Sequence, residues 1–422
     1  MAARILRWLY PGIGIKRWVV AIACGFFLTY LAGGFIYGAI TNTEVSMRLR
    51  LAAYSAGLVA LAGFLVVTGI YRIVKNIERM VGKQLRGEFA IRTAYERSFL
   101  EQGTRVVCLG GGTGMSTLLR GLKAFTANIT AVVSVADDGG SSGRLRQEFD
   151  MLPPGDIRKC LIALSDDSPL MARLLDYRFG EAELAGHSMG NLVLTVLTRI
   201  TGDFGEAVRQ ANLLFAVRGR VLPATLDRIF LVARHPDGTT TIGQRNISQS
   251  EKPIERVELK PNPGPPAPDI ARALEEAELI VLGPGSLFTS VIPTLLIEGI
   301  PDIIRRTSAV KVYVANIAAC EGETRDFTLL EHLRALEKHA GGGLFGHVLV
   351  NDGPVPRARR AELEEKGARL IMYNRTEMPA DVPYRFVTAD VVSRENPLRH
   401  DSDRLARALI DLYQRVASGM VQ

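Results

Sequence analysis

Two long apolar runs lead the chain. Trp18 to Ile40 is a stretch of 23 residues without Asp, Glu, Lys or Arg, and Leu51 to Tyr71 is a second of 21. A helix rises about 1.5 Å per residue, so either run can cross the roughly 30 Å hydrocarbon core of a bilayer. A signal peptide followed by a buried helix is the competing reading, but the first run exceeds a usual signal-peptide core and a second span follows at once. The pattern predicts a membrane hairpin over residues 1–71, with helices at about 18–40 and 51–71. Residues 72–103 mix apolar and charged positions at near-helical spacing and predict a juxtamembrane helical linker, able to lie on the membrane or to self-associate.

From Thr104 the texture changes. RVVCLG, ITAVVSVA, LIVLG, KVYVANI, HVLVN and RLIMY are short apolar runs bounded by Gly, Asn or Asp, with helical patterns between them. Continuous apolar runs suit strands buried on both faces, and intervening helices suit parallel crossovers. Residues 104–422 are therefore expected to form an α/β domain of three layers around a mostly parallel sheet. The alternation is interrupted by LDRIFLVARHPDGTTTIGQ, where Asp237-Gly238 separates two β-rich runs, and by the Pro-rich connector KPNPGPPAP. Residues 226–268 read as a β-rich insertion.

Charge sets the orientation. Arg4, Arg7, Lys16 and Arg17 precede the first span, and Arg72, Lys75, Arg79, Lys83 and Arg86 follow the second, whereas the loop between them has Arg48 and Arg50 against Glu44. The positive-inside rule then places both ends, and the large C-terminal part, on the cytoplasmic side of the cytoplasmic membrane. The net charge of +7 has the same origin: residues 1–100 hold 13 Lys or Arg against 4 Asp or Glu, and the remainder holds 38 against 40. No basic footprint for nucleic acid is left in the soluble part. Cys24, Cys108, Cys160 and Cys320 are far apart and indicate neither a disulfide framework nor a zinc site.

The candidate chemistry gathers at strand ends. Residues 110–117, GGGTGMST, follow the first apolar run. They fail the dinucleotide pattern G-x-G-x-x-G in both registers, because Met115 or Thr117 takes the last position, and no lysine lies between the glycines and Lys123 to make a triphosphate loop. What remains is a glycine turn into a helix whose free N–H groups favour an anion, with Gly110, Gly111, Gly112, Thr113 and Gly114 as ligand-binding candidates; a Gly-rich turn without ligand is the alternative. The next strand ends in ADDGGSSGRL. Asp137 and Asp138 suit a nucleotide ribose or a divalent ion such as magnesium with several waters, or else a helix cap and a solvated turn. Ser141 and Ser142 add hydroxyl donors, and Asp138 is also a catalytic candidate. Asp156, after Pro153-Pro154-Gly155, reads as a helix cap first and a ligand contact second.

LAGHSMGNL contains G-x-S-x-G from Gly186 to Gly190, which raises a serine hydrolase. A nucleophile elbow needs a buried strand upstream, and RFGEAELA is not one. The favoured reading is a turn into the helix NLVLTVLTRI, with His187, Ser188 and Asn191 near the pocket, His187 being either a general base or a structural hydrogen-bonding group. LIVLGPGSLFTS repeats the opening logic, with Gly283, Gly285 and Ser286 as a second loop. Phe288 would stack on a base or sugar, or lie in the core. Asn316 ends the strand KVYVANI, and Arg325 stands in a polar loop as a phosphate partner or a solvated charge. The two Gly loops form a cradle in this reading, with the Asp pair between them.

Taken together, GGGTG, VADDGGSSGRL, PPGDIRKCLIAL, GHSMGN, VRGRVLPAT, LGPGSLFTSVIP and the VANIA/GET pair resemble the gluconeogenesis factor family (YvcK type) of the CofD-like, 2-phospho-L-lactate transferase superfamily, from about Arg105 to RHDSDRLARALIDLY. The resemblance implies a Rossmann-like CofD-type fold and a nucleotide or UDP-sugar ligand such as UDP-N-acetylglucosamine. It also implies a regulatory role in gluconeogenic growth, cell shape and wall synthesis. Related transferases move a phospholactyl group from a nucleotide diphosphate donor, so an enzyme using Mg2+ is the alternative. Gly110 to Gly114, Asp137, Asp138, Asn191 and Gly283 to Ser286 match the family's pocket blocks, and Phe288, usually Tyr there, and Arg325 look like nucleotide-sugar contacts. The partners expected are the nucleotide-sugar, the membrane through the hairpin, a second copy of the chain and proteins of cell-wall synthesis. Phe288 lacks the phenol hydroxyl, and the hairpin is absent from many soluble members.

Overall fold

A computed structural model describes residues 16–81, 100–165, 169–319, 322–357, 360–361, 365, 369–379 and 382–420. The chain divides into two units, Met1–Ser98 and Phe99–Gln422.

Helices α1 (Lys16–Thr41) and α2 (Val45–Val81) make the first unit. Within them Val20–Thr41 and Val45–Arg72 are long and apolar enough to cross a membrane. Small residues let the two backbones approach: a Cβ on Gly25 would stand 2.6 Å from Val66, and Ala32, Ser55 and Ala62 are buried between the helices. Phe26, Phe27, Tyr30, Phe64 and Val67 point outward, as expected where lipid replaces a core. Helix α2 runs into the stretch read as a linker, because its polar turns after Tyr71 keep helical spacing; the rest of that linker, residues 82–99, lies outside the described residues.

The second unit is an α/β fold. Its elements are β1 (Val106–Gly110), α3 (Gly112–Leu122), β2 (Ile129–Val133), α4 (Gly140–Phe149), α5 (Gly155–Leu164), α6 (Pro169–Asp176), α7 (Met189–Thr201), α8 (Phe204–Leu214), β3 (Arg220–Pro223), β4 (Phe230–Arg234), β5 (Thr240–Ile242), α9 (Gln244–Ser248), β6 (Arg256–Lys260), α10 (Pro268–Glu275), β7 (Leu279–Leu282), α11 (Ile292–Leu295), α12 (Ile300–Arg306), β8 (Val310–Val314), α13 (Leu329–Ala340), β9 (His347–Asn351), β10 (Arg385–Ala389) and α14 (Ser402–Ala417). Seven strands form one parallel sheet in the order β10-β9-β8-β7-β1-β2-β3. The central strands β1, β2 and β7 are buried throughout, which is why they read as unbroken apolar runs. A third apolar helical stretch, Leu287–Leu295 with Ile300–Arg306, bends by 72° and packs in this core.

The insertion is a separate antiparallel sheet, β5-β4-β6, whose β4–β5 hairpin turns over Asp237-Gly238. Two strands escaped the pattern and one was overread. β3 and β10 lie at the two edges and are only partly apolar. RLIMY is not a ladder strand: Leu370 makes a lone antiparallel bridge to Ala318, and Met372 is half exposed.

Candidate nucleotide site at the switch point

From β1 the chain builds outward through β2 and β3, then returns to the opposite side of β1 as β7. That reversal lies between β1 and β7, and the carboxyl ends of strands at such a point are where open α/β sheets bind ligands. Both strands end there in glycine loops that touch. A Cβ on Gly114 would stand 2.6 Å from the Pro284 carbonyl oxygen, so only glycine fits, and Gly283 takes φ +77° to turn the second loop toward the first. Helix α3 begins at this contact, capped by Gly111 without any side-chain hydrogen bond. Its first N–H groups thus remain for an anion. Ser116 and Thr117 donate their hydroxyls back to the Thr113 carbonyl, at 2.9 Å each.

The loops enclose one side of a cavity of about 220 Å³. Its walls are Gly111 to Gly114 and Thr117, Pro284 to Ser286 with Ser290, Asn316 to Ala318, and Leu398, Arg399 and His400. Asn316 brackets Gly285, accepting its N–H through Oδ1 and donating through Nδ2 to its carbonyl. Arg399 and His400 were not singled out in the sequence. The signal was the stretch RHDSD: Asp401 caps α14 by accepting the N–H groups of Asp403 and Arg404, which fixes the two residues before it at the cavity wall. Burial drives the His400 pKa down to about 4, against a hydrogen bond to the Ala315 carbonyl that favours the proton.

The carboxylates occupy the other side of the first loop, on the β2 flank, and not the space between the loops. Asp137 and Asp138 also diverge. Asp138 accepts the N–H of Arg245 at 2.9 Å and crowds Gly243, so it ties down the start of α9 in the insertion. Asp137 accepts the N–H of Gly139 and lies beside Gly155. Burial raises its pKa, and the charge of Asp156 raises it further. The convergent pair is therefore Asp137 and Asp156. Asp156 is not a cap, since Pro154 holds that place; it sits one turn position inside α5, buried, with Oδ2 2.8 Å from where a Cβ on Gly111 would be. Its other oxygen accepts from Lys159 at 2.9 Å. Burial would lower the Lys159 pKa, but Asp156 outweighs that and raises it. Ser142 is buried beside Gly155 as well. Among the described residues no three His, Cys, Asp or Glu side chains converge as a metal centre.

Next to this pair is a short polar relay. The Ser141 hydroxyl lies 3.0 Å from Nδ1 of His187 and accepts from Nδ2 of Asn191 at 3.0 Å, all three buried. Burial, with the charge of Arg144, holds the His187 pKa below its ordinary value. Ser188 is the cap of α7, fully enclosed, with a 3-10 turn and no strand upstream, so the hydrolase geometry is absent at this serine.

Two expected contacts lie elsewhere. Phe288 is enclosed in the core, edge-on to Phe327 and His339, and presents no face for stacking. Arg325 is exposed and does not line the cavity.

Comparison with known proteins agrees with this architecture. Residues 106–392 match the family described as 2-phospho-L-lactate transferase CofD. A relative from Clostridium acetobutylicum is 37% identical over 418 residues, covering 97% of this chain and 92% of its own. The gluconeogenesis factor of Bacillus subtilis is 42% identical over 315 residues, 74% of this chain and 99% of its own. The crystal structure of a UPF0052 family member from Bacillus halodurans superposes with a TM-score of 0.70 at 40% identity, over 73% of this chain and 99% of that one. The chain thus belongs to the CofD family, among relatives named as gluconeogenesis factors.

Proposed function

We propose that this protein is a membrane-tethered regulator that binds a nucleotide-sugar, with UDP-sugars the leading class, and links gluconeogenic growth to cell shape and wall synthesis. The observation that carries the reading is the contact between the two glycine loops at the switch point, which aims the α3 N-terminus into a cavity walled also by Arg399. An unpaired helix start and a guanidinium together suit a diphosphate. Among the described wall residues the imidazole of His400 pairs with the Ala315 carbonyl. The two apolar helices serve as the anchor, with the flanking basic residues holding both ends in the cytoplasm. Isothermal titration with UDP-N-acetylglucosamine and other nucleotides tests this; heat from none of the uridine nucleotides would remove the ligand claim.

A second reading, a magnesium-dependent transferase acting on a nucleotide diphosphate donor, is favoured by the Asp137–Asp156 pair. Two neighbouring carboxylates suit Mg2+, which would neutralise phosphate charge as a leaving group departs. These two residues would hold it, with Lys159 donating to Asp156 at 2.9 Å. The reading requires metal-dependent release of product, abolished by Asp156→Asn, whereas a sensor binds ligand and returns it unchanged.

A further inference from the structure

Glu323, in the loop between β8 and α13, is enclosed in the protein at 6% exposure and does not line the cavity. Its Oε1 accepts two hydroxyls from segments far apart in the chain: Ser248 at the end of α9, at 3.0 Å, and Thr289 just behind the second glycine loop, at 2.7 Å. Its Oε2 is buried and has no partner among the described residues. Burial raises its pKa, against the two hydroxyls and the N–H groups of Phe288 and Thr289, which favour the charged form. A carboxyl in that position costs free energy to bury, and what it holds is two loops on opposite sides of the first glycine turn.

We infer that Glu323 is a positioning residue that makes α9 of the insertion part of the ligand site, by tying the end of that helix to the second glycine loop. Each end of α9 is held at a different strand end. Its first turn is fixed by Asp138, after β2, which accepts the Arg245 N–H at 2.9 Å; its last residue meets Glu323 and, through it, Thr289 after β7. In the sheet β1 lies between those two strands, so α9 bridges the flanks of the glycine turn that ends β1. The fit at the far end is close, since a Cβ on Gly322, at φ +82°, would stand 2.1 Å from the Ser248 carbonyl oxygen. Thr289 belongs to the segment in which the N–H groups of Ser290 and Val291 return to the Ser286 carbonyl. Ser290 then lines the cavity, its Oγ 3.8 Å from where a Cβ on Gly112 would be. One carboxyl oxygen thus stands between the insertion and the wall where both glycine loops meet. A helix of five residues has little stability of its own, so its order depends on these end contacts.

Hydrogen exchange read by mass spectrometry on the full chain in detergent micelles tests the link. Glu323→Ala should speed exchange at the Ile247 and Gln249 amides of α9 and at Ser290 and Val291 together, by roughly tenfold, the scale of two lost hydrogen bonds. Glu323→Gln keeps an accepting oxygen for both hydroxyls and should stay within about threefold of the parent. Should the alanine variant fail to fold, Ser248→Ala asks the same question from the other side: it alters no residue of the loop, yet should quicken Ser290 and Val291 by about threefold. Loosening of α9 with Ser290 and Val291 as protected as in the parent overturns the inference, and so does a glutamine variant as loose as the alanine one. Calorimetry of the same variants with UDP-N-acetylglucosamine reads the site itself. Affinity should fall about tenfold in Glu323→Ala and stay near the parent in Glu323→Gln, because a loosened loop must be ordered on binding; unchanged affinity in a variant with a loosened loop removes α9 from the site. This arm rests on the nucleotide-sugar reading, and a parent that gives no heat with any uridine nucleotide refutes that reading while the exchange pattern still decides the link.

Discussion

Asn316 holds the peptide of Gly285 from both sides, its Oδ1 3.3 Å from the N–H and its Nδ2 2.9 Å from the carbonyl oxygen. One side chain at the end of β8 thus sets the loop that follows β7. Asn316→Ala removes two hydrogen bonds worth about 0.5–1.5 kcal/mol each, so stability should fall by about 1–3 kcal/mol. Affinity for UDP-N-acetylglucosamine should fall about tenfold or more, because the loop must be ordered on binding. Denaturant unfolding and titration calorimetry read the two effects separately. Unchanged affinity would mean that the second loop does not meet the ligand.

The contact just described was half legible in the sequence. The glycine loops and Asn316 could be found because each follows an apolar run that is buried on both faces, so strand ends were well marked. Their mutual contact also followed from the doubled motif. Arg399 and His400 were missed because what places them is the cap at Asp401, a long-range consequence of where α14 docks against α3. The carboxylates show the opposite failure. Adjacent residues in a turn read as a pair, yet Asp137 and Asp138 point to different partners, and the true neighbour of Asp137 is Asp156 on a later helix. Edge strands β3 and β10 were lost for different reasons: β3 is only four residues long and opens with Arg220, although its other three residues are buried, whereas partial exposure breaks the apolar run of β10.

Divergence of the two aspartates separates their mutants. Asp138→Asn should weaken the seat of α9 and lower stability by about 1–3 kcal/mol, the usual cost of an impaired buried or half-buried hydrogen-bond partner. Any metal effect would then be indirect. Asp156→Asn removes the partner of Lys159 and the charge that raises the Asp137 pKa, so Asp137 should titrate closer to its ordinary range. Carbon-detected NMR of the aspartate carboxyls, with magnesium titrated into each variant, distinguishes them. If Asp138→Asn abolishes magnesium binding and Asp156→Asn does not, the assignment of the pair is wrong.

Phe288 gives a test of core against contact. Removing a large aromatic from a core costs about 3–5 kcal/mol, so Phe288→Ala should destabilise strongly through the lost packing on Phe327 and His339. Phe288→Leu should restore most of the stability and leave ligand affinity near the parent value. A stacking platform would give the reverse pattern, with stable variants that bind poorly.

His400 predicts a pH dependence with a definite sign. Its imidazole is buried at the cavity wall and its pKa is lowered to about 4, whereas an unfolded histidine titrates near 6.5. Between those values the unfolded chain takes up a proton that the folded His400 refuses, so the free energy of unfolding falls as pH falls. The full contribution stands above about pH 6.5 and is lost progressively toward pH 4, on the order of 3 kcal/mol across that window. His187, His332, His339 and His347 are lowered too and act in the same direction, while the raised carboxyls of Asp137 and Glu323 oppose them. The measurement must therefore be a difference. Urea unfolding of the parent and of His400→Gln at pH 7.5 and pH 5 should show a shallower acid loss in the variant, because glutamine can keep a donor for the Ala315 carbonyl without acquiring charge. Equal slopes in the two proteins would place the acid sensitivity on the other histidines and remove His400 from it.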